Sequence, residues 1–253
     1  MIICLLAGLG AGLGTGFAGM SAAVVISPML ITFLDRNPYE AIGIALASDV
    51  LASAVSAYTY GKNKNIDLKR AKTLFIAVLV FTGIGAYIAF LVPPATMGNL
   101  TVYSALLMGI NFLKKSFSEE KVVTPKEFSG NGKQMVPILC GALIGFICGF
   151  IGAGGGIMML MILTLVMNFE LKTAVGTSVF IMTFTALYGS ISHFSLHSII
   201  PDPVIMGLCV GSTLFFARMG SVFANKAEAK ILNRATGVVL SSLGIFMLWA
   251  TYF

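Results

Sequence analysis

The apolar residues of this chain fall in long continuous runs, and charged residues lie almost entirely between the runs. Each run covers about 18 to 25 residues, which is enough for a helix to cross a hydrocarbon core of about 30 Å. The strands of a transmembrane β-barrel would show weaker, alternating segments instead. The pattern therefore predicts an all-α polytopic membrane protein.

Six of the runs have the length and composition of ordinary membrane-spanning helices. They cover residues 41–60, 73–92, 96–113, 171–194, 204–223 and 231–251. Two further apolar segments, 1–34 and 137–167, are rich in glycine and too long for one crossing. A straight helix of 34 residues would measure about 51 Å. These two segments are therefore predicted to be broken.

The two halves of the sequence match when one is shifted by 133 residues. The glycines at 8, 12, 16 and 19 then fall on those at 141, 145, 149 and 152, and AIGIAL at 41–46 falls on AVGTSV at 174–179. This match predicts two repeats, 1–113 and 137–253, each with one broken segment and three spans. The polar stretch 114–136 is predicted to be the linker between them.

The basic residues predict how the broken segments lie in the membrane. If each segment crossed once, the sixteen lysines and arginines would divide 10 to 6 between the two sides. If each segment is a re-entrant hairpin, they divide 15 to 1, with only Arg36 outside. Since positive residues concentrate in cytoplasmic loops, the hairpin is favoured. Three full crossings per repeat then make the repeats inverted and place the linker in the cytoplasm, an architecture typical of secondary transporters.

The breaks are predicted at GMSAA, 19–23, and GAGGG, 152–156. Non-helical backbone at membrane depth is tolerated where protein buries it or where it lines a cavity. The free amides at the start of the following half-helix form a positive pole suited to an anion. The candidate binding residues here are Gly19, Met20, Ser21, Gly152, Ala153, Gly154, Gly155 and Gly156. The alternative is close helix packing, which is favoured for Gly8, Gly12 and Gly16.

Several polar residues lie within or near the predicted spans. Asp49 is the only acidic residue deep in one, where a carboxyl is costly and usually functional, so it is predicted to carry a proton coupled to substrate movement. Its alternative role is a hydrogen bond between helices. Ser48, Thr177, Ser178 and Arg218 are further candidate ligands for substrate oxygens. For the hydroxyls the alternative is bonding within the helices, and for Arg218 it is anchoring at the interface.

The stretch GFICGFIGAGGGIMML at 145–160, followed by AVGTSV and repeated in the first half, resembles the sulfite exporter TauE/SafE family over nearly the whole chain. This resemblance implies a membrane carrier for sulfite, sulfonates or related small organic anions. The first half departs from the pattern, because Ser21, Ala22 and Ala23 stand where the second half has three glycines.

Other function classes find less support. The sequence has no HExxH, GxSxG or P-loop motif, and its four cysteines lie singly in apolar runs, so no catalytic residue, metal or cofactor is predicted. The net charge of +6 comes from short loops and indicates topology rather than nucleic-acid binding.

The function expected from the sequence is secondary transport of a small sulfur-containing anion, coupled to protons, in the inner membrane of a prokaryote. The predicted partners are the anion and membrane lipid, with a homo-oligomer left open. The alternatives are a transporter or channel for another small organic anion and, less favoured, an intramembrane enzyme.

Overall fold

The computed structural model describes residues 1–101, 103, 132–152 and 155–226, and these residues form helices without strands. The helices are α1 (Ile2–Ala18), α2 (Ala23–Leu34), α3 (Pro38–Lys62), α4 (Leu68–Phe90), α5 (Gly132–Ile151), α6 (Gly155–Met161), α7 (Leu171–His197) and α8 (Pro203–Lys226). Residues 94–101 are also helical, and α6 continues into a π-helical turn, Ile162–Val166.

Four of these helices, α3, α4, α7 and α8, are long and apolar enough to cross a membrane. The all-α polytopic membrane fold is thereby confirmed. Helix α5 begins at Gly132, inside the predicted linker. The rest of the linker, the span 231–251 and most of the span 96–113 lie outside the described residues.

Short polar side chains cap the starts of α3 and α4, where their apolar runs begin. The side chain of Asn37 accepts a hydrogen bond from the Tyr39 amide at 2.9 Å, and proline occupies the first position of α3. Asp67 accepts from the Arg70 amide at the start of α4. Such caps satisfy backbone donors that have no partner within the helix. The caps therefore determine the residues at which α3 and α4 begin.

Both glycine-rich segments are broken, as the sequence predicts. Helix α1 ends at Gly19, whose φ of 63° is left-handed, and α5 ends at Gly152 with a φ of 74°. Glycine adopts this conformation without the steric cost that a Cβ brings. The amides of Gly19 and Met20 turn back to carbonyls of α1. Each straight run therefore stops inside the protein.

Small residues let the first helix of each half pack closely against a helix of the other half. A Cβ added at Gly12 would lie 2.5 Å from the carbonyl oxygen of Thr213 on α8. One added at Gly145 would overlap the carbonyl oxygen of Val78 on α4. Gly8 and Gly16 also contact α8 directly. The packing role predicted for Gly8, Gly12 and Gly16 agrees with these contacts.

The broken segment of the first half begins and ends near the start of α8. Gly8 meets Ser212, and Gly16 meets Ser221, so α1 and α8 run parallel. At the other end of the segment, Arg36 Nη2 lies 3.1 Å from Asp202 Oδ2, just before α8. The chain thus enters and leaves at one end of the fold.

The segment of the second half has the same relation to α4. Gly141 meets Ala77 and Gly149 meets Thr82, so α5 and α4 run parallel. Beyond the break, the carbonyl oxygen of Met167 accepts a hydrogen bond of 2.6 Å from the Arg70 guanidinium. This segment also begins and ends near the start of its partner helix.

The two segments open toward opposite ends of the fold. At one end, the Asp202 amide donates to Glu40 at the start of α3. At the other end, the Asn65 side chain, after α3, donates to Asn225 at the end of α8. Helix α4 starts at this second end, because its cap Asp67 directly follows Asn65 and Ile66 in the sequence.

Candidate functional site

The two breaks meet in the interior of the protein. A Cβ added at Gly156 would overlap the carbonyl oxygen of Gly19, and Ser21 Oγ lies 3.4 Å from the carbonyl oxygen of Gly152. These residues are buried. The two breaks, which touch here through Ser21 and Gly152, 131 positions apart in the sequence, therefore form one enclosed region.

Asp49 projects into this region from the middle of α3. Its side chain is 0% exposed, and its Oδ2 accepts a hydrogen bond of 2.7 Å from Ser21 Oγ. The backbone amide of Ala22 also faces this carboxyl. Among the described residues, Asp49 Oδ1 has no hydrogen-bond partner. A buried carboxyl with one oxygen unsatisfied is costly in a medium of low polarity.

The start of α2 supplies further hydrogen-bond donors near that carboxyl. The Ala23 amide donates to Ser21 Oγ at 3.3 Å, and the Val24 amide already donates to the Ser21 carbonyl within the turn. Helix α2 has 12 residues, so its dipole reinforces these donors. The region is therefore suited to negative charge without containing a lysine or arginine among its described residues.

The second break contributes backbone and sulfur rather than a carboxyl. A Cβ at Gly155 would lie 3.2 Å from Cys148 Sγ, and one at Gly156 would lie 2.7 Å from Met182 Sδ. The predicted site residues Ala153 and Gly154 lie outside the described residues. Helix α6 has only seven residues before the π-helical turn, so we assign it no separate binding pole.

The predicted hydroxyl ligands are placed differently from one another. Ser178 lies beside the first break, where a Cβ on Gly19 would be 2.6 Å from its Oγ. Ser48 is next to Asp49 but donates to the Ile44 carbonyl of its own helix. Thr177 accepts from the Asp67 amide in the α3–α4 turn, so it binds a loop instead of facing the breaks.

Two further candidates occupy different surroundings. Met20 is buried, and its methyl group contacts Gly14 of α1. Arg218 is exposed on α8, next to the exposed Met219 and three residues after the exposed Phe215. Such a position on an apolar face suits an interfacial anchor more than a ligand in the buried region.

The family model for the sulfite exporter TauE/SafE matches residues 4–247. The chain belongs to the sulfite exporter TauE/SafE family. The match covers both breaks and every candidate residue named above. The TauE/SafE resemblance read from the glycine-rich motifs is thereby confirmed.

Curated relatives of this chain are described as probable membrane transporter proteins, and two of them match over most of its length. A probable membrane transporter protein of Methanocaldococcus jannaschii, MJ0441, is 25% identical over 246 residues, covering 91% of this chain and 88% of the relative. The probable membrane transporter protein YunE of Bacillus subtilis is 24% identical over 100% of this chain and 98% of its own. A second Bacillus subtilis protein so described, YdhB, is 42% identical over 97 residues, 38% of this chain and 37% of its own. No solved structure gives a significant match.

Sequence reasoning missed three residues of this TauE/SafE protein that lie close to the breaks. Cys148 is near enough to Asp49 to interact with it electrostatically. Thr15 Oγ1 lies 2.8 Å from the carbonyl oxygen of Met20, and Met182 faces the second break. Thr15 and Cys148 occupy matching positions, four residues before Gly19 and Gly152. That match is the signal that identifies them.

Proposed function

We propose that this TauE/SafE protein is a secondary transporter that carries sulfite or a small organosulfonate, with the anion held at the start of α2 where the breaks meet. Family membership supports the substrate class. The observation that carries the proposal is the enclosed region itself, in which two breaks, the donors of α2 and the Asp49 carboxyl lie together.

The architecture proposed for transport is a pair of inverted repeats. Left-handed residues occur at matching or nearly matching positions: Asp35 corresponds to Asn168 at the shift of 133 residues, and Ser198 lies one residue beyond the position that matches Lys64. The segments open toward opposite ends of the fold, as the contacts of Arg36 and Arg70 indicate. In such folds the substrate site lies near the midplane, and rocking of the two repeats exposes it to each side in turn.

The start of α2 suits an anion for a physical reason. Its donors are the Ser21 hydroxyl and the amides of Ala22 and Ala23, which attract negative charge without the cost of burying a cation. The glycines at 19 and 152 allow a ligand close to the backbone. Asp49 now occupies part of this donor set, so a proton on Asp49 would favour binding of a substrate anion. We assign Asp49 the coupling role on this ground.

The sidedness follows from charge. The α3–α4 turn and the adjoining helix ends carry Lys62, Lys64, Lys69, Arg70 and Lys72, and we place them, with the linker 114–136, in the cytoplasm. The opposite end would face the outside of a prokaryotic inner membrane. Substrate and lipid are the proposed partners.

Flux into proteoliposomes tests the proposal. The wild-type protein is given radiolabelled sulfite or a small sulfonate, with and without an imposed pH gradient. We expect saturable uptake that increases with the gradient. D49N should lose the stimulation, while S48A, whose hydroxyl bonds its own helix, should keep it.

The outcomes separate the parts of the proposal. Full stimulation in D49N would remove the proton role of Asp49. Uptake of neither anion would remove the substrate class, and uptake that never saturates would indicate a channel.

A further inference from the structure

The side chain of Ser21, in the first break, also reaches the second break. Its Oγ lies 2.7 Å from Asp49 Oδ2 and 3.4 Å from the Gly152 carbonyl oxygen, and it accepts the amide of Ala23 at 3.3 Å. The side chain is 1% exposed. It therefore links an ionisable group of the first half to the backbone of the second half.

A serine hydroxyl has one proton to donate and two lone pairs that accept. It can serve Asp49 or the Gly152 carbonyl as a donor, but not both at once. While Asp49 is a carboxylate, it can only accept, so the Ser21 proton points to it. The short distance of 2.7 Å is typical of an O–H donor to an oxygen acceptor. Gly152 then receives no bond from Ser21.

Protonation of Asp49 reverses the direction of this bond. The added proton on Oδ2 becomes the donor, and Ser21 Oγ accepts it on the lone pair not used by the Ala23 amide. The serine proton is then free to turn to the Gly152 carbonyl. A normal O–H···O bond is about 2.8 Å long, so the present 3.4 Å separation would shorten.

We infer that Ser21 is a positioning residue that transmits the protonation state of Asp49 from the first break to the second. This inference rests on the proton role proposed for Asp49. It identifies the step by which a proton in one half of the chain changes the packing of the other half. A small movement of Gly152 matters because this residue ends α5 in a left-handed conformation.

Other titratable groups around the carboxyl are few. The thiol of Cys148 on α5 interacts with it. On α7, His193 stacks on Tyr39, and its Nε2 lies 3.0 Å from the carbonyl oxygen of Gly149, three residues before Gly152 on α5. The interactions of Asp49 include no charged side chain among the described residues. Ser21 donates a hydrogen bond to it, and the Ala22 amide faces it.

The first measurement is an infrared pH titration of the protein in nanodiscs without substrate. The carbonyl band of protonated Asp49 is assigned by its loss in D49N. We expect S21A to move the midpoint of this band to higher pH by about one to two units, because the charged form loses a donor. S21T should restore the wild-type midpoint, and S48A should leave it unchanged.

The second measurement is amide hydrogen exchange at one pH, read by mass spectrometry on peptides containing Gly152, Gly155 and Gly156. D49N mimics the protonated acid, since its amide can donate to Ser21. We expect D49N to slow exchange in these peptides when Ser21 is present and to have no effect in the S21A background. If S21A is not recovered from the membrane, S21C replaces it, with a smaller shift in the same direction.

The results distinguish this inference from the proposed function. An Asp49 band that titrates equally in wild type and S21A would overturn the role of Ser21, as would an equal D49N effect with and without Ser21. Absence of a titrating Asp49 band would remove both the proton coupling and this inference. A protein that carries neither anion but shows both expected results would lose only its substrate class.

Discussion

Adding one methyl group to the helix contacts of α1 and α5 should destabilise the protein measurably. The Cβ of G12A would lie 2.5 Å from the Thr213 carbonyl oxygen, 2.8 Å from Phe216 Cβ and 2.9 Å from the Ala217 amide nitrogen. Two of these three atoms belong to the backbone of α8, so relief requires the helices to separate. G145A meets the backbone of Val78 on α4 in the same way.

The magnitude follows from two opposing effects. Overpacking of a tight contact costs about 1–3 kcal/mol, while alanine in place of glycine stabilises a helix by about 1 kcal/mol. Gly207 and Gly211 on α8 have nothing within 4 Å among the described residues, so G207A and G211A show the helix effect alone. The contact variants should therefore be less stable than these controls by about 1–3 kcal/mol.

The native cysteines provide the assay. Cys4, Cys148 and Cys209 are buried, so a thiol-reactive fluorophore reports unfolding as the temperature rises. For a chain of this size 1 kcal/mol corresponds to about 2–4 °C in Tm. We expect G12A and G145A to unfold about 2–12 °C below the controls. Equal unfolding temperatures for the contact variants and the controls would refute the close packing of these helices.

Two other predictions concern the end of the fold that carries Arg36. The hydrogen bond from the backbone amide of Ile205 lowers the pKa of Asp202 below its usual 3.8, and Arg36 lowers it further. The variant D202N keeps a side-chain oxygen that can accept from the Val204 amide at the start of α8, but it loses the charge. At pH values above about 4, the Tm of D202N should be lower than that of the wild type. The difference should vanish as the pH falls through the lowered pKa, and a difference that stays constant with pH would contradict the role of the Asp202 charge. The thiols of Cys4 and Cys209 are close enough to interact, so mild oxidation should link α1 to α8, detected by peptide mass spectrometry; failure to link them would contradict the parallel packing.

The sequence was sufficient to predict the long helices of the described residues and both breaks. Glycine content and segment length revealed that 1–34 and 137–167 are not single spans, and the breaks fall at Gly19 and Gly152 as predicted. These are local properties, since a left-handed glycine ends a helix wherever it occurs. Arg36, the single basic residue expected outside, lies at the opposite end of the fold from Arg70, and which end faces the cytoplasm stays a prediction.

Contacts between distant residues could not be predicted in the same way. Asp49 and Ser21 were both candidates, but nothing in the sequence shows that residues 28 apart are hydrogen-bonded. Thr177 and Ser48 look alike as hydroxyls in helices, yet one binds a loop amide and the other its own helix. These differences depend on the rotation of each helix, which packing sets and which the periodicity of almost wholly apolar runs does not reveal.

The two halves of the chain contribute different chemical groups to the region where the breaks meet, although the proposed repeats would give both halves a similar backbone. The shift of 133 residues that aligns the halves puts Met182 opposite Asp49, and Met182 faces Gly156 of the second break. A second carboxyl at that position would share one buried space with Asp49, where two neighbouring carboxylates cannot both ionise at low cost. The thioether avoids this conflict and leaves Asp49 as the single acid that the proposed coupling would use to exchange a proton. The first half would thus supply the titrating group and the second half a glycine backbone that a ligand can approach, so a proton and an anion could be handled together by unequal repeats.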